Sequence, residues 1–336
     1  MDYGRINLPE RVRLANLPTP IYRLNQLSAG LGGPQIYIKR DDLTGMEFSG
    51  NKIRKLEFVV AQALANVNNV LITCGGVQSN HARATAAVAA RLGLKAHLVL
   101  SGSRDNIPEG NFLLDQLFGA KITLLPEGSK NSMDERMDEI AQEYITHGDN
   151  PMVVPLGASD ATGCWGYIQA VREMVDQFDS LGWQPDAIII PTGSGGTQAG
   201  LILGKEIFGL KSQIIGICVS ENRVYFQNKI SQITQEFERK YHHHIKILPE
   251  NINVLDDYVG EGYGLADKPL LSFISELARL EAVLVDPVYS GKALYGLVSE
   301  IRKGKFGLNS RLLFIHTGGL FGLFPFAAQF QVPETD

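Results

Sequence analysis

Cysteine is scarce and poorly placed for cross-linking: the chain has three, Cys74, Cys164 and Cys218. An odd number with no CxxC pair argues against a disulfide framework and leaves a thiolate metal site unsupported, so no metal is expected. Long apolar runs are also missing. No stretch reaches the ~18 apolar residues of a spanning helix, and the opening MDYGRINLPERVRL has no apolar signal core. A soluble protein of a reducing, cytoplasmic compartment is expected, with no membrane partner. Positive charge is not in excess. The net charge is −5, which argues against nucleic acid as a partner. Low-complexity tracts are absent too, although glycine is plentiful, at 35 of 336 residues. The glycines cluster in short loops of the kind that hold phosphates or ligands. At ~150 residues per domain the length suggests two domains, and a 44% hydrophobic content is ample for a sizeable core.

The chain alternates short apolar runs with helical patterns. After an irregular arm over 1–35, residues 36–39 read as extended. An amphipathic helix follows over 53–65. Strands are expected at 69–74, 96–100, 121–125 and 152–155, separated by helices at 82–92, 111–118 and 132–146, with a loop over 157–166. The second set has helices at 167–179, after the 191–200 loop to about 208, at 222–248, at 268–279 and after 292 to 303, and strands at 187–190, 214–219, 283–285 and 312–315. Strand, Gly-rich turn, then helix is the unit of a parallel sheet. The triplet His242-His243-His244 reads as solvated surface, because adjacent histidines cannot share one helix face.

Around Lys52 the sequence is Ser49-Gly50-Asn51-Lys52-Ile53-Arg54-Lys55. Ser49 and Asn51 are good N-cap residues, and Gly50 permits a sharp turn. Lys52 would stand in the first helical turn, where the dipole opposes a cation and favours the uncharged amine that a Schiff-base lysine needs. The alternative is one solvated lysine among three basic residues.

Two loops at strand ends could hold a ligand. Thr192-Gly193-Ser194-Gly195-Gly196-Thr197 follows a buried strand and opens a helix, a natural phosphate site. It is not a Walker loop, because no GK[ST] follows. Gln198 stands where a dinucleotide fingerprint needs its third small residue, although Glu221 is placed like a ribose-binding acid. Gln78-Ser79-Asn80-His81 forms either a carboxylate cradle or an ordinary polar N-cap. Tyr263, Tyr289, Ser290 and Thr317 sit at other strand ends or Gly-rich loops, as expected if they share one cleft.

Taken together, residues 49–57, 74–81, 192–200, 289 and 316–319 strongly resemble fold-type II pyridoxal-phosphate enzymes, in the branch containing 1-aminocyclopropane-1-carboxylate (ACC) deaminase and D-cysteine desulfhydrase. The match runs in order through nearly the whole chain. It implies two open, twisted, mainly parallel-sheet α/β domains of the tryptophan synthase beta type, with the active site between them. Residues 1–52 plus 156–336 would form the large, cofactor-binding domain, and 53–155 the small one. It also implies a homodimer acting on a small amino-acid substrate.

The resemblance implies a role for each matched residue. Lys52 would hold pyridoxal phosphate and move protons, and Asn80 would bond the cofactor's 3-oxygen. Thr192, Gly193, Ser194, Gly195, Gly196 and Thr197 would hold the phosphate, with Thr317 near the pyridine nitrogen. Ser79 would bind the substrate carboxylate and assist proton transfer. Asn51, Gln78, His81, Tyr263, Tyr289 and Ser290 would complete the substrate pocket, with Tyr289 catalytic. In the deaminase an acidic residue follows the second tyrosine and Leu replaces the Thr before the last Gly pair. Here Ser290 and Thr317 are of the desulfhydrase type. A hydroxyl leaves the ring nitrogen largely unprotonated, a weaker electron sink that suffices when a thiolate departs. The implied reaction converts D-cysteine to pyruvate, hydrogen sulfide and ammonia, with Lys52 or Tyr289 removing the α-proton. ACC deamination and a cysteate sulfo-lyase share the fold, while a nicotinamide-dependent dehydrogenase is the reading from another class.

Overall fold

The computed structural model describes residues 8–102, 108–126, 132–243 and 245–330. The first seven residues of the expected arm, and His244, lie outside these. In chain order come β1 (Ile21–Arg23), α1 (Asn25–Leu31), β2 (Gln35–Lys39) and α2 (Asn51–Ala65). Then follow β3 (Val70–Gly76), α3 (Asn80–Leu92), β4 (Lys95–Ser101), α4 (Gly110–Leu117), β5 (Lys121–Leu125), α5 (Met133–Thr146), β6 (Pro151–Val153) and α6 (Ala161–Leu181). The last set is β7 (Ala187–Thr192), α7 (Gly196–Phe208), β8 (Gln213–Cys218), α8 (Arg223–Tyr241), β9 (Asn253–Leu255), α9 (Lys268–Glu281), α10 (Ser290–Arg302) and β10 (Arg311–Ile315).

Among the described residues these strands build two sheets, a six-stranded one in the order β1-β2-β10-β7-β8-β9 and a four-stranded one in the order β5-β4-β3-β6. Only β1 runs antiparallel to its neighbour. β7 shows why the larger sheet is covered on both faces. Ile188 and Ile190 pack into one core with α6, α7 and α8, while Ile189 packs into the other with α9 and α10. In the smaller sheet, Leu71 and Leu98 meet the alanines of α3 and the apolar side of α2, whereas Val70, Ile72 and Val99 meet α5.

The helix that carries Lys52 is buried more deeply than an amphipathic surface helix. Asn51 and residues 53–60 are all buried. A polar cluster fixes it. Arg54 is bidentate to Asp41 at 2.8 and 2.9 Å and pairs with Glu173 of α6 at 2.9 Å. Glu173 also takes Lys39 Nζ at 2.7 Å, and Tyr167 donates to Asp41 at 2.6 Å. Two cations and two carboxylates therefore balance inside the protein, as buried charge requires.

Several sequence expectations need correction. The loop over 157–166 is mostly helix: α6 starts at Ala161, where Asp160 accepts from Gly163 N at 2.7 Å. Gly166 looked like a loop residue, yet it lets α6 meet α2, since a Cβ there would lie 2.6 Å from Lys55 N. Residues 283–285 form no strand. Val283 and Val285 are buried while Leu284 is exposed, so their alternation records one-sided burial, and Leu284 O takes a bond from His316 instead of a ladder partner. The helix expected to 248 ends at Tyr241, and the three-residue edge strand β9 was not anticipated. His242 is exposed, but His243 stacks on Phe237 at 5.7 Å between centroids. Among the described residues no helix is long and apolar enough to cross a membrane.

Candidate active site

Lys52 is the second residue of α2. The helix is capped by Gly50, with φ +113° and no side-chain cap. Ser49 and Asn51 do not cap because their side chains are engaged elsewhere: Ser49 Oγ donates to Asp42 O at 2.8 Å, and Asn51 Nδ2 to Thr197 Oγ1 at 2.9 Å. Gly50 is required by close approach, since a Cβ there would lie 2.6 Å from Thr317 O. Asn51 N donates to that same carbonyl at 3.1 Å. The Lys52 amine is aimed at Gly157, where a Cβ would stand 3.0 Å from Nζ and 2.5 Å from Ser194 Oγ. Among the described residues no acceptor binds it. Burial, and then the charge of Lys55, hold its pKa well below the ordinary lysine value.

The loop after β7 lies on the far side of that amine. Gly195, at φ +81°, starts α7 and turns the helix N-terminus toward the site. Ser194 Oγ is 2.8 Å from Ser159 Oγ. Lys55 Nζ donates to Ser159 Oγ at 3.0 Å and Gly157 O at 2.6 Å, and a Cβ on Gly196 would come within 2.7 Å of it. Burial lowers the Lys55 pKa to about 8. Sequence reasoning passed over Lys55 as one of three basic residues. The signal was its i, i+3 spacing from Lys52, which places both near one helix face. Thr192 faces the sheet instead: its hydroxyl donates to Gln198 Oε1 at 2.8 Å, and Gln198 donates on to Asn253 O of β9. That bond explains Gln198 at the third fingerprint position. Glu221 is exposed.

The wall after β3 carries the Gln78–His81 segment. Ser79 caps α3, accepting from Ala82 N at 3.2 Å, which leaves its own proton free to donate. Gln78 is tied to α4, accepting from Asn111 N at 2.9 Å and donating to Glu109 O at 3.1 Å. Asn80 Oδ1 accepts from Asn111 Nδ2 at 2.9 Å. His81 turns toward β3. Thr73 donates to Val154 O at 2.8 Å, so it must accept from His81 Nε2 at 2.9 Å, which fixes the tautomer. Among the described residues His81 Nδ1 is buried without a partner, and burial holds the ring's pKa well below its ordinary value.

The two tyrosines close the site from the other side. Their hydroxyls share a short hydrogen bond. Tyr263 reaches Gly76 at the end of β3, and Tyr289 reaches Gly193 after β7, so the pair touches both sheets' strand ends. Burial raises the Tyr289 pKa well above 10, while Tyr263 keeps 47% of its surface exposed. Ser290 is fully buried, accepting from Asp286 N at 3.0 Å and donating to Asp286 Oδ1 at 2.6 Å. Asp286, which sequence reasoning did not single out, also accepts from the backbone N–H groups of Val288, Tyr289 and Ser290. Thr317 is 6% exposed, and its hydroxyl has no partner among the described residues.

The structure thus brings together Lys52, Asn51, Ser194–Thr197, Tyr263, Tyr289 and the Thr317 turn. The side chains of Gln78, His81, Thr192 and Ser290 are bonded to the surrounding protein. An unpaired amine with a lowered pKa, beside a helix N-terminal anion cradle backed by a second lysine, suits a phosphorylated aldehyde.

Fold and site together define a fold-type II pyridoxal-phosphate enzyme. The chain belongs to the family described as pyridoxal-phosphate dependent enzyme, whose model matches residues 12–318. It is 40% identical over 324 residues to the mitochondrial bifunctional D-cysteine desulfhydrase/1-aminocyclopropane-1-carboxylate deaminase of Arabidopsis thaliana, covering 93% of this chain and 78% of that protein. It is 38% identical over 325 residues to D-cysteine desulfhydrase of Yersinia enterocolitica, covering 95% and 96%. The solved structure of an ACC deaminase homologue superposes with a TM-score of 0.87 at 37% identity, covering 96% of this chain and 95% of that one.

Proposed function

We propose that the chain converts D-cysteine and water to pyruvate, hydrogen sulfide and ammonia. The observation that carries this reading is the Lys52 amine, unpaired and with its pKa lowered, facing the Ser194 loop. Bound there, pyridoxal phosphate supplies the electron sink that acidifies the α-carbon and lets a β-substituent leave. The chain's residues do the rest. Ser194–Thr197 and the α7 N-terminus would hold the phosphate, with Lys55 behind them, and Asn80 would bond the 3-oxygen. Ser79 would donate a hydrogen bond to the substrate carboxylate. Lys52, its pKa lowered, would take the α-proton. Burial raises the pKa of Tyr289, so its O–H would stay protonated and offer a hydrogen bond to the departing thiolate without giving up its proton.

The choice of substrate rests on the Thr317 end. A hydroxyl there leaves the ring nitrogen uncharged, which suffices for a thiolate leaving group. A carboxylate at 290 would be pressed against Asp286, whose Oδ1 is 2.6 Å from Ser290 Oγ. Both points favour the desulfhydrase over the deaminase reading. The same reading takes 53–155 as a small domain and the remainder as the large one, with a homodimer as the working unit. Three buried free cysteines support a reducing, cytoplasmic setting.

The test is sulfide and pyruvate release from D-cysteine, with L-cysteine, cysteate and ACC in parallel on cofactor-loaded protein. Sulfide from D-cysteine, with little turnover of ACC, is expected. A loaded protein that opens ACC faster than it releases sulfide would reverse the assignment.

A further inference from the structure

A side-chain amide presents a donor or an acceptor according to which way it is turned. If Asn80 is to bind the cofactor's negatively charged 3-oxygen, its NH2 must face the cleft. Nothing in residue 80 alone decides this, but Asn111 does. Asn111 is fully buried in the first turn of α4. Its side chain meets Arg83 Nε at 3.2 Å, Gln78 O at 3.0 Å and Asn80 at 2.9 Å. Arginine can only donate and a backbone carbonyl can only accept. Asn111 Oδ1 must therefore face Arg83, and Nδ2 must face Gln78 O. The second proton of Nδ2 goes to Asn80, so that contact must meet the acceptor, Oδ1. Asn80 Nδ2 is then turned the other way, where no acceptor among the described residues binds it and it is not sealed off.

We propose that Arg83 and Asn111 form a polarity relay that locks the orientation of Asn80, so that it always offers a donor to the 3-oxygen of pyridoxal phosphate. The inference rests on the reading of Asn80 as that oxygen's partner. Arg83 and Asn111 are positioning residues that act through Asn80. The upstream end of the relay is itself fixed. Arg83 Nη1 and Nη2 donate to Glu47 O at 2.6 Å and Ser49 O at 2.8 Å. One guanidinium therefore holds the turn leading into Lys52 and sets the polarity of the amide opposite. Asp115 faces the same guanidinium but makes no hydrogen bond, so it does not compete for these donors.

The effect on the bound cofactor is electronic. A donor stabilises the 3-oxygen most when the nitrogen joining the cofactor to Lys52 has lost its proton, because that proton no longer shares the oxygen's charge. The visible absorption of the loaded protein should therefore titrate at a lower pH with the donor than without it.

The experiment is this pH titration for wild type, Asn111→Ala, Asn111→Asp and Asn80→Ala. Attachment at Lys52 is checked by borohydride reduction and peptide mass, and folding by thermal unfolding. Alanine leaves Asn80 free to turn either way. Aspartate replaces the Nδ2 donor with an acceptor and turns Asn80 Oδ1 toward the cofactor. The midpoint should rise in the order wild type, Asn111→Ala, Asn111→Asp, the last by about one pH unit, a tenfold change in proton affinity. A packing role predicts the opposite ranking, because alanine leaves a cavity and aspartate is nearly isosteric with asparagine. If Asn111→Ala does not fold, Asn111→Asp against wild type decides alone. Midpoints unchanged in the Asn111 variants but shifted in Asn80→Ala overturn the relay and spare the Asn80 reading. An unshifted Asn80→Ala overturns both, and a wild type unmodified at Lys52 overturns the cofactor placement beneath them.

Discussion

The side-chain amide of Asn51 donates to the hydroxyl of Thr197 at 2.9 Å, joining residues 146 positions apart. The bond ties the helix that carries Lys52 to the loop proposed to hold phosphate, so the distance between amine and anion site is set directly. Thr197→Val should weaken pyridoxal-phosphate binding about fivefold, since one net hydrogen bond is worth ~1 kcal/mol. Turnover at saturating cofactor should change less. Unaltered affinity in a fluorescence titration would detach Thr197 from the site.

Tyr263 and Tyr289 share one hydrogen bond, and burial raises the pKa of Tyr289 well above its ordinary value, while Tyr263 is 47% exposed. Tyr289→Phe should lower kcat by ~10²–10³, the usual worth of one positioned donor to developing charge. Tyr263→Phe should have a smaller effect, because it removes only a partner. The pH–rate profile should show no tyrosine ionisation below pH 10. A basic limb in that range that vanishes in Tyr289→Phe would contradict the raised pKa of Tyr289.

Glu173 compensates both Arg54 and Lys39. Glu173→Ala leaves two cations in a buried cluster with Asp41 alone, so unfolding should become easier by ~3–5 kcal/mol. A urea midpoint within experimental error of the wild type would mean that solvent already reaches the cluster.

Asp115 is buried with both oxygens unbonded among the described residues, and burial raises its pKa to about 8 against an ordinary 3.8. Between those values the folded state holds a proton that the unfolded chain releases, so stability falls as pH rises through this window and is unaffected below it. Arg83 attracts the charged form and makes the fall shallower. Asp115→Asn should be more stable than wild type by ~1–3 kcal/mol near pH 8.5 and equal to it near pH 4. Parallel thermal-melting curves for the two proteins across that range would rule out the shifted carboxyl.

Much of this was legible from local pattern. Thr192–Thr197 follows an all-apolar strand and opens a helix, so its place at a sheet's ligand-binding end could be read directly. The Lys52 turn was legible from Gly50, although the capping assigned to Ser49 and Asn51 was not, because each side chain found a partner far away in sequence. Asp286, Lys55, Arg83 and Asn111 share the same difficulty. Each matters through a partner that only the fold supplies, and single-chain spacing carries no trace of it. Residues 161–166 misled because glycine lowers helix propensity, while tertiary contact between α6 and α2 demanded it. Residues 283–285 misled because alternation reports which side chains are buried, not whether the backbone finds a ladder.

β10 lies between β2 and β7, so a strand from late in the chain forms the middle of the larger sheet. The turn just after it supplies the carbonyl that receives Asn51 N. On a ribosome, Lys52 emerges early but has neither sheet nor seat until residue 317 has been made. The capture of the aldehyde proposed for Lys52 therefore waits until residue 317 has been made, and before that the emerging chain offers it only an ordinary lysine.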